Sequence, residues 1–229
     1  MKAVIFAGGQ GTRLRPITNQ RPKPMVEVGG RPIAEWQINW LKHHGVKSFL
    51  FLGGYLFDVL EDYVGDGRRW GVHVEYVREE EPLGSGGALY NARDILKGEE
   101  EFFVLNGDII TDFDITLLRK PNYVATMALF PFRSPYGIVN VEGEKVLSFE
   151  EKPVLKDYWI NSGVYYATKD IFEYLPRPKG DISFDTFPKL AAAGKLGGHR
   201  YLELYFRMID SMKDLDEANK DVASGKIGM

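Results

Sequence analysis

Apolar residues in the first half of the chain alternate between short continuous runs and stretches with helical spacing. The runs are typical of buried parallel strands, and the stretches are typical of helices with one apolar face. In chain order the predicted elements are strand Lys2–Ala7, helix Ile33–His44, strand Lys47–Leu52, helix Leu56–Val64, strand Val72–Val77, helix Gly86–Leu96 and strand Phe102–Leu105. This order predicts a parallel sheet with helices on both faces.

The second half has a different pattern, in which short strand-like segments are separated by turns. The predicted elements are strands Tyr123–Phe130, Gly137–Val141, Lys145–Phe149 and Gly163–Ala167, then helices Ser183–Ala193 and Asp214–Ser224. No linker rich in Pro, Gly or Ser divides the chain, and no hexapeptide repeat is present. The sequence therefore predicts one α/β domain with a β-rich lobe and no β-helix domain.

Composition and charge narrow the classes of function. The 229 residues are 44% hydrophobic and carry a net charge of -3, a globular composition that disfavours a general nucleic-acid binder. The absence of cysteine excludes disulfides, thiolate metal sites and cysteine nucleophiles. The apolar run at the N-terminus is too short for a signal peptide, and no run approaches the ~20 residues of a membrane span. We therefore expect a cytoplasmic protein with no membrane partner.

The first predicted strand runs directly into a glycine-rich loop, Gly8–Arg13. Glycines let the backbone approach a ligand closely, and successive N–H groups in such loops bind anions. Ligands of open α/β sheets bind beyond the carboxyl ends of the strands, so the loop is a predicted phosphate site. No Gly-Lys-Ser/Thr of a Walker loop follows, and Leu14 stands where a dinucleotide loop has its third glycine. A nucleotide loop that uses Arg13 and a plain glycine turn both remain open.

A lysine between two prolines follows the loop. Pro22 and Pro24 stiffen the backbone on either side of Lys23. Less entropy is lost when a lysine is positioned on a rigid segment than on a flexible one. Taken with the glycine loop, this favours a phosphate contact over a solvated surface lysine.

These segments resemble the signature of the sugar-1-phosphate nucleotidyltransferases. The resemblance rests on Gly8–Thr18 and Pro22–Met25, with further matches in the order of the family at Gly84–Ala88, Leu105–Asp108, Glu150–Pro153 and Asn161–Tyr165. It covers nearly the whole chain. It implies a Rossmann-like, mostly parallel open sheet flanked by helices. Residues 1–120 would then form a nucleotide-binding half, and residues 121–229 a β-rich sugar-binding half.

The resemblance also implies an activity. Members of this family make an NDP-sugar and pyrophosphate from an NTP and a sugar 1-phosphate, with Mg²⁺ as cofactor. Two polyanions must meet in this reaction, so it requires positioned cations and a metal ion. By resemblance, the catalytic residues are Arg13, Lys23 and Asp108, and Asp108 is also a metal ligand.

Two groups of binding residues follow from the same resemblance. The nucleotide-binding residues are Ala7, Gly8, Gly9, Gly11, Thr12, Gly84, Ser85 and Gly86, and the sugar-phosphate-binding residues are Asn106, Gly107, Glu151, Lys152, Asn161 and Gly163. Ser85 is also a candidate for the cap of the helix that follows it. One residue of the acidic run Glu79–Glu81 is a candidate for reading the base, although such a run is also typical of a solvated surface.

The sequence departs from the family near its C-terminus. Many relatives carry Trp-x-Asp-x-Gly there, in which the Asp is a second metal ligand, but Met208 stands at that position here. Asp210 follows two residues later, and on a strand this spacing keeps a side chain on the same face. We expect Asp210 to be the second metal ligand. The alternative is that Asp210 caps the last helix.

Motifs for the base and the sugar are mixed. Arg15–Thr18 and Pro82–Gly87 look like those of mannose- and heptose-1-phosphate guanylyltransferases and of thymidylyl- or uridylyltransferases, and of these we prefer transfer of a guanylyl group to a hexose or heptose 1-phosphate. Met208–Ser211 resembles the glucose-1-phosphate cytidylyltransferases, so cytidylyl, thymidylyl or uridylyl transfer remains the alternative. A non-catalytic nucleotide-sugar sensor is disfavoured because Arg13, Lys23 and Asp108 are all present. The oligomeric state, including a homo-oligomer, stays open.

Overall fold

The computed structural model describes residues 1–202 and 204–227. The strands in this part of the chain are β1 (Lys2–Phe6), β2 (Glu27–Val28), β3 (Arg31–Pro32), β4 (Ser48–Gly53), β5 (His73–Arg78), β6 (Glu101–Asn106), β7 (Ile109–Thr111), β8 (Ala125–Arg133), β9 (Ile138–Glu142), β10 (Lys145–Glu150), β11 (Val154–Thr168), β12 (Leu196–Arg200) and β13 (Phe206–Met208). The helices are α1 (Ile33–His43), α2 (Phe57–Val64), α3 (Gly84–Asn91), α4 (Arg93–Leu96), α5 (Phe187–Ala192) and α6 (Met212–Ala223).

Seven of the described strands form a central sheet in the order β12-β8-β11-β6-β1-β4-β5. β6, β1, β4 and β5 are parallel, whereas β11 runs antiparallel to its neighbours β6 and β8. β12 pairs parallel to β8 at the edge of the sheet. The mostly parallel, helix-flanked sheet that the sequence predicts is therefore confirmed.

The second half of the chain extends this sheet more than the sequence indicates. Three of its strands, β8, β11 and β12, belong to the central sheet. β9 and β10 pair as a separate antiparallel hairpin, and β13 pairs with β7. The predicted strand Gly163–Ala167 is only the last part of β11, and β12 was not predicted because Leu196–Arg200 is short and contains two glycines. Gly and charged residues weaken the apolar signal of an edge strand.

Side chains of the central strands alternate between two apolar layers. Ala3 and Ile5 of β1 pack in one layer, which also includes Leu41 of α1 and Leu60 of α2. Val4 packs in the other layer, with α3, α4 and α5. Both faces of the sheet are therefore buried, which is why its strands read as continuous apolar runs.

A third apolar cluster joins the beginning of the chain to its end. It contains Leu14, which directly follows the glycine loop, together with Trp36 from α1, Ile110 from β7, Ile209 just before α6 and Leu215 within α6. Because Leu14 follows Arg13 and Ile209 precedes Asp210, burial of these two apolar side chains holds both charged residues in place.

Two predicted helices differ from the structure. The predicted helix Gly86–Leu96 begins at Gly84 and is interrupted at Ala92, so it forms α3 and α4. The predicted helix Ser183–Ala193 is wrong in its first part, because residues 182–186 form a π-helical turn before α5 begins at Phe187. No helix in the described part of the chain is long and apolar enough to cross a membrane.

Candidate active site

A cleft of about 170 Å³ opens where the parallel strands β1 and β6 end side by side. In this pair Phe6 lies opposite Asn106, and the N–H of Gly107 donates to the carbonyl of Phe6 at 2.9 Å. The residues that line the cleft are Phe6, Ala7, Gly8, Gly9, Lys23, Pro24, Asn106, Gly107 and Asp108. The structure thus brings the glycine loop, Lys23 and Asp108 to the carboxyl edge of the sheet, where the sequence places the ligand.

Two cations and two carboxylates meet at this cleft. The ammonium of Lys23 lies 2.6 Å from Asp108 Oδ2 and 2.6 Å from Asp210 Oδ1. Arg13 forms an ion pair with the second carboxylate oxygen of Asp210. We refer to Arg13, Lys23, Asp108 and Asp210 as the charged quartet.

Backbone pairing explains why Asp210 reaches Asp108. β13 pairs antiparallel with β7, so that Met208 lies opposite Ile109. One residue further, the N–H of Ile209 donates to the carbonyl of Asp108 at 2.8 Å. This pairing holds the two acidic residues next to each other, on either side of Lys23.

Asp210 is not the cap of the last helix. Ser211 is the N-cap residue of α6 and forms a capping box with Asp214, whose carboxylate also accepts the N–H of Asp210. The alternative role of Asp210 as the cap is therefore wrong, and its carboxylate is left for Arg13 and Lys23. The sequence contains a signal for Ser211 as the N-cap residue, because Ser211 and Asp214 have the spacing of a capping box.

The charges of the quartet affect one another strongly. Burial disfavours the ammonium of Lys23, but the attraction and hydrogen bonds of Asp108 and Asp210 outweigh it and raise the pKa of Lys23. Burial raises the pKa of the Asp108 carboxyl, and the nearby Lys23 ammonium counteracts part of that rise. Lys23 is therefore a permanent cation at neutral pH.

The carboxylates of the quartet fit a magnesium ion that is shared with a phosphate ligand. Asp108 Oδ1 is buried and has no hydrogen-bond partner among the described residues. No group of three or more His, Cys, Asp or Glu side chains suited to a metal occurs in residues 1–202 and 204–227. Mg²⁺ prefers oxygen ligands and is commonly held by one or two carboxylates, substrate phosphates and water. The carboxylates of Asp108 and Asp210 are two such ligands, so they fit a Mg²⁺ ion whose other ligands are phosphate and water oxygens.

Two glycines of the glycine loop serve different purposes: Gly11 allows a turn of the backbone, and Gly9 leaves space in the cleft. Gly11 has φ +60°, and a Cβ there would lie 2.9 Å from Thr18 Cγ2. The hydroxyl of Thr18 donates to the carbonyl of Gly11 at 2.8 Å, which fixes the turn before Thr12 and Arg13. A Cβ at Gly9 would meet nothing within 4 Å. Gly9 therefore faces open space in the cleft, as a residue that admits a ligand would.

Gly84, Ser85 and Gly86 are not in a loop before a helix, as the sequence suggests, but in the first turn of α3. The carbonyl of Gly180 accepts the N–H of Gly86 at 3.0 Å. Ser85 does not cap the helix; its hydroxyl donates to Asp181 at 2.9 Å and accepts from the N–H of Ile182. The segment after Pro178 therefore forms hydrogen bonds with part of this turn, and no sequence motif marks that segment.

One acidic residue of the run Glu79–Glu81 lies between the two segments that are predicted to bind the nucleotide. Glu79 follows β5, and its Oε2 accepts the N–H of Leu83 at 3.1 Å. Its Oε1 lies 3.4 Å from the position that a Cβ at Gly8 would occupy. Burial raises the pKa of the Glu79 carboxyl, and the Leu83 hydrogen bond partly offsets this. Glu81, in contrast, pairs with Lys179 on the surface.

Comparison with known families identifies the chain. The family model described as "Nucleotidyl transferase" matches residues 2–224. The chain belongs to this family. The family that the motifs indicate is thereby confirmed.

Some relatives of this nucleotidyl transferase family member are named for guanylyl transfer, and another, from Synechocystis, is named as a UTP--glucose-1-phosphate uridylyltransferase. The chain is 39% identical over 175 residues to the D-glycero-alpha-D-manno-heptose 1-phosphate guanylyltransferase of Campylobacter jejuni, covering 75% of this chain and 78% of that protein. It is 36% identical over 228 residues to the mannose-1-phosphate guanyltransferase of Yarrowia lipolytica, covering 93% of this chain. It spans 62% of the length of the Yarrowia protein.

A solved structure shares the fold. HddC from Yersinia pseudotuberculosis, in complex with GMP-PN, matches with a TM-score of 0.76 and 28% identity. The match covers 96% of this chain and 99% of the Yersinia chain.

Of the predicted sugar-phosphate residues, three lie together at the junction of β6 and β11. Asn161 Oδ1 accepts the N–H of Gly163 at 2.9 Å, and its amide donates to the hydroxyl of Tyr165 at 2.8 Å. Gly163 has φ +77°, and a Cβ there would lie 2.5 Å from the side-chain amide of Asn106. Burial raises the pKa of Tyr165 to about 12, so its hydroxyl stays protonated.

Glu151 and Lys152 are on the surface, just after β10. Their side chains are 60% and 61% exposed, and Lys152 Nζ lies 3.8 Å from Glu151 Oε1. Within the described ranges no ion pair connects them to the charged quartet. Lys152 has φ +48°, a backbone conformation that is uncommon for a side chain of this size. Their role in binding the sugar phosphate stays a prediction.

Sequence reasoning missed the residue that supports the turn before Asp108. Gln37 of α1 is 1% exposed, and its amide donates to the carbonyls of Asn106 at 2.8 Å and Ile109 at 3.1 Å. The signal was present, because Gln37 is a polar residue among the apolar positions of the predicted helix. A buried glutamine in an apolar face needs partners, and here they are the backbone on either side of Asp108.

Proposed function

We propose that this chain transfers a guanylyl group from GTP to a hexose or heptose 1-phosphate, with release of pyrophosphate. The observation that carries the proposal is the charged quartet beside the glycine loop. Nucleotidyl transfer needs cations that hold a triphosphate and neutralise the pyrophosphate as it leaves. We also propose that the reaction takes place in the cytoplasm.

Arg13 and Lys23 would bind the triphosphate. Arg13 is exposed at the cleft and offers a planar fork of donors that matches phosphate oxygens. Lys23 offers a compact charge at the bottom of the same cleft. Negative charge develops on the leaving pyrophosphate, so both cations would stabilise the transition state more than the bound substrates.

Asp108 and Asp210 would hold a Mg²⁺ ion, with phosphate oxygens as its remaining ligands. When bound, the ion neutralises phosphate charge and helps to align the α-phosphate with the incoming oxygen. Asp108 Oδ1, which is buried and has no hydrogen-bond partner among the described residues, would be one of the ligands. The pairing of β7 with β13 keeps the two carboxylates at a fixed distance.

For the acceptor, we assign Lys152 to the phosphate of the sugar phosphate. The residues assigned to the sugar itself are Asn106, Gly107, Asn161, Gly163 and Glu151, whose carboxylate would accept sugar hydroxyls. Asn161 and Asn106 supply amide groups, which can both donate to and accept from hydroxyls. The absence of a side chain at Gly163 allows a sugar ring close to the backbone. Lys152 would draw the exposed segment after β10 towards the phosphate by charge attraction.

The choice of guanine rests on Glu79. Its carboxylate lies beside Gly8 and the start of α3, between the two segments that would hold the nucleotide. A carboxylate accepts two parallel N–H groups, as guanine offers on its N1–H and 2-amino edge. Uracil and thymine present one N–H between two carbonyl oxygens, which a carboxylate repels. The names of the Campylobacter and Yarrowia relatives agree with this choice.

A binding experiment tests the base. Titration calorimetry with GTP and with UTP, in the presence of Mg²⁺, should give a preference for GTP in the unaltered chain. Glu79→Gln should weaken GTP binding at least about tenfold and reduce that preference, because one bidentate base contact contributes about 1–3 kcal/mol of discrimination. Glu80→Gln, at the exposed neighbouring position, is the matched control and should change neither value. An unchanged preference in Glu79→Gln would assign base reading to another residue.

A further inference from the structure

The ammonium group of Lys23 forms hydrogen bonds with both carboxylates to which a divalent ion would bind. Lys23 Nζ makes hydrogen bonds of 2.6 Å to Asp108 and 2.6 Å to Asp210. The side chains of Lys23 and Asp108 are largely buried, so their charges are only weakly screened by water. Lys23 thus stands where a cation that bridges the two acids would stand.

The quartet is electrically balanced as it is. Two carboxylates face two cations, because Arg13 pairs with the same Asp210 that Lys23 contacts. A divalent ion that joined this arrangement would leave two excess positive charges in a partly buried site. An uncompensated charge in such a place is costly. The ion and the two basic side chains therefore compete for the same acids.

We propose that Lys23 is the internal counterion of the metal site, so that the divalent ion binds together with the triphosphate and not before it. This inference rests on the proposed function for the identity of the second ligand. A triphosphate gives Lys23 and Arg13 new partners, and the divalent ion then takes over the neutralisation of Asp108 and Asp210. The two carboxylates are thus neutralised both before the exchange, by the basic side chains, and after it, by the divalent ion.

The exchange needs little movement of the backbone. Residues 23–25 form a single 3₁₀ turn, and Pro22 and Pro24 restrict the chain on both sides of Lys23. Asp108 is fixed by the β7–β13 pairing and by Gln37. The long side chain of Lys23 can therefore move between the acids and the phosphates while the ligands of the metal stay in place.

Binding of Mn²⁺ to the free protein, measured from the paramagnetic resonance signal of unbound Mn²⁺, tests this inference without any turnover. The unaltered chain should bind Mn²⁺ weakly when alone, and at least about tenfold more tightly when a non-hydrolysable GTP analogue is present. Lys23→Met removes the ammonium but keeps an unbranched side chain. It should bind Mn²⁺ at least about tenfold more tightly than the unaltered chain in the absence of nucleotide.

Four further variants make the test specific. Lys23→Arg keeps the charge and should bind Mn²⁺ as weakly as the unaltered chain. Lys179→Met, which removes an exposed lysine paired with Glu81, is the matched control for a general change in net charge and should have no effect. Lys23→Met combined with Asp108→Asn should lose the gain. Lys23→Gln gives a second neutral variant, and thermal unfolding identifies which of the two neutral variants is folded.

Two results would overturn the inference: tight Mn²⁺ binding by the unaltered chain alone, or no gain of Mn²⁺ affinity in a folded neutral variant. Failure of the proposed function has a different signature. In that case Lys23→Met would still gain Mn²⁺ affinity, but no nucleoside triphosphate would change Mn²⁺ binding by the unaltered chain.

Discussion

Lys23 Nζ and Asp210 Oδ1 are 2.6 Å apart, although the two residues are 187 positions apart in the chain. The contact closes the candidate site with residues from the first and the last parts of the fold. It exists because Ile209 pairs with the backbone of Asp108 and packs into the same apolar cluster as Leu14. The C-terminal segment is therefore part of the site and not an appendage to it.

Replacement of Asp108 by asparagine should abolish Mg²⁺-dependent turnover and leave the fold intact. The amide keeps the shape of the carboxylate but not its charge, so the affinity for a divalent ion falls. We expect kcat/KM to fall at least about a hundredfold, which corresponds to about 2.7 kcal/mol of transition-state stabilisation. Steady-state pyrophosphate release measures this. Asp94→Asn, at an exposed position of α4, is the control and should leave turnover unchanged. Near-normal turnover in Asp108→Asn would rule out Asp108 as a metal ligand.

Replacement of Arg13 by alanine should lower kcat, because Arg13 is assigned to charge that develops on the leaving pyrophosphate. A loss of at least about 2 kcal/mol, or about thirtyfold, is expected. Arg15→Ala removes the same charge two residues away, at another exposed position, and should be close to neutral. If Arg13→Ala raised KM and left kcat unchanged, Arg13 would bind only the ground state.

Gln37→Leu should damage the site through the backbone of Asp108. The substitution keeps the volume but leaves the carbonyls of Asn106 and Ile109 without their donor, at a cost of about 1–3 kcal/mol of unfolding free energy. If Gln37 positions Asp108, the affinity for Mn²⁺ in the ternary complex should fall as well. A variant that is less stable but binds Mn²⁺ normally with nucleotide would limit Gln37 to a structural role. Gln20→Leu, on the surface, controls for the change of residue type.

Gly163→Ala should destabilise the protein and weaken binding of the sugar phosphate. The φ of +77° is strained for alanine, at about 1 kcal/mol, and the new Cβ would also push on the amide of Asn106. Gly143→Ala has a similar φ of +58° in open space, so it isolates the backbone strain. Denaturant unfolding should therefore show a larger loss for Gly163→Ala than for Gly143→Ala. Equal losses would mean that Asn106 adjusts freely.

Some of this structure could be predicted because its signals are local. The strands β1, β4, β5 and β6 are apolar runs, and the glycine loop with Lys23 is a continuous motif. The hydrogen-bond partners of α3 could not be predicted, because they are distant in the sequence. Gly180 accepts from the first turn of α3 across 94 positions of the chain, and no pattern of apolar residues reports such a hydrogen bond.

The candidate site was predictable in its parts but not in its arrangement. The motifs point to Arg13, Lys23 and Asp108, and the two-residue spacing from Met208 points to Asp210, although β13 ends at Met208 and Asp210 lies beyond the strand. That Lys23 bridges both acids follows from the β7–β13 pairing, and β13 is only three residues long. Strands of this length carry no reliable periodicity. The contact of Lys23 with both acids therefore could not be predicted from the sequence and is seen only in the structure.

The measurement that tests the central claim most directly is pyrophosphate release with Mg²⁺ across a matrix of nucleoside triphosphates and sugar 1-phosphates. We predict activity with GTP and a hexose or heptose 1-phosphate, together with formation of the corresponding GDP-sugar. Activity confined to another triphosphate would contradict the assignment of Glu79 to guanine. No pyrophosphate in any combination, from a protein that binds GTP and Mg²⁺, would contradict nucleotidyl transfer to these sugars.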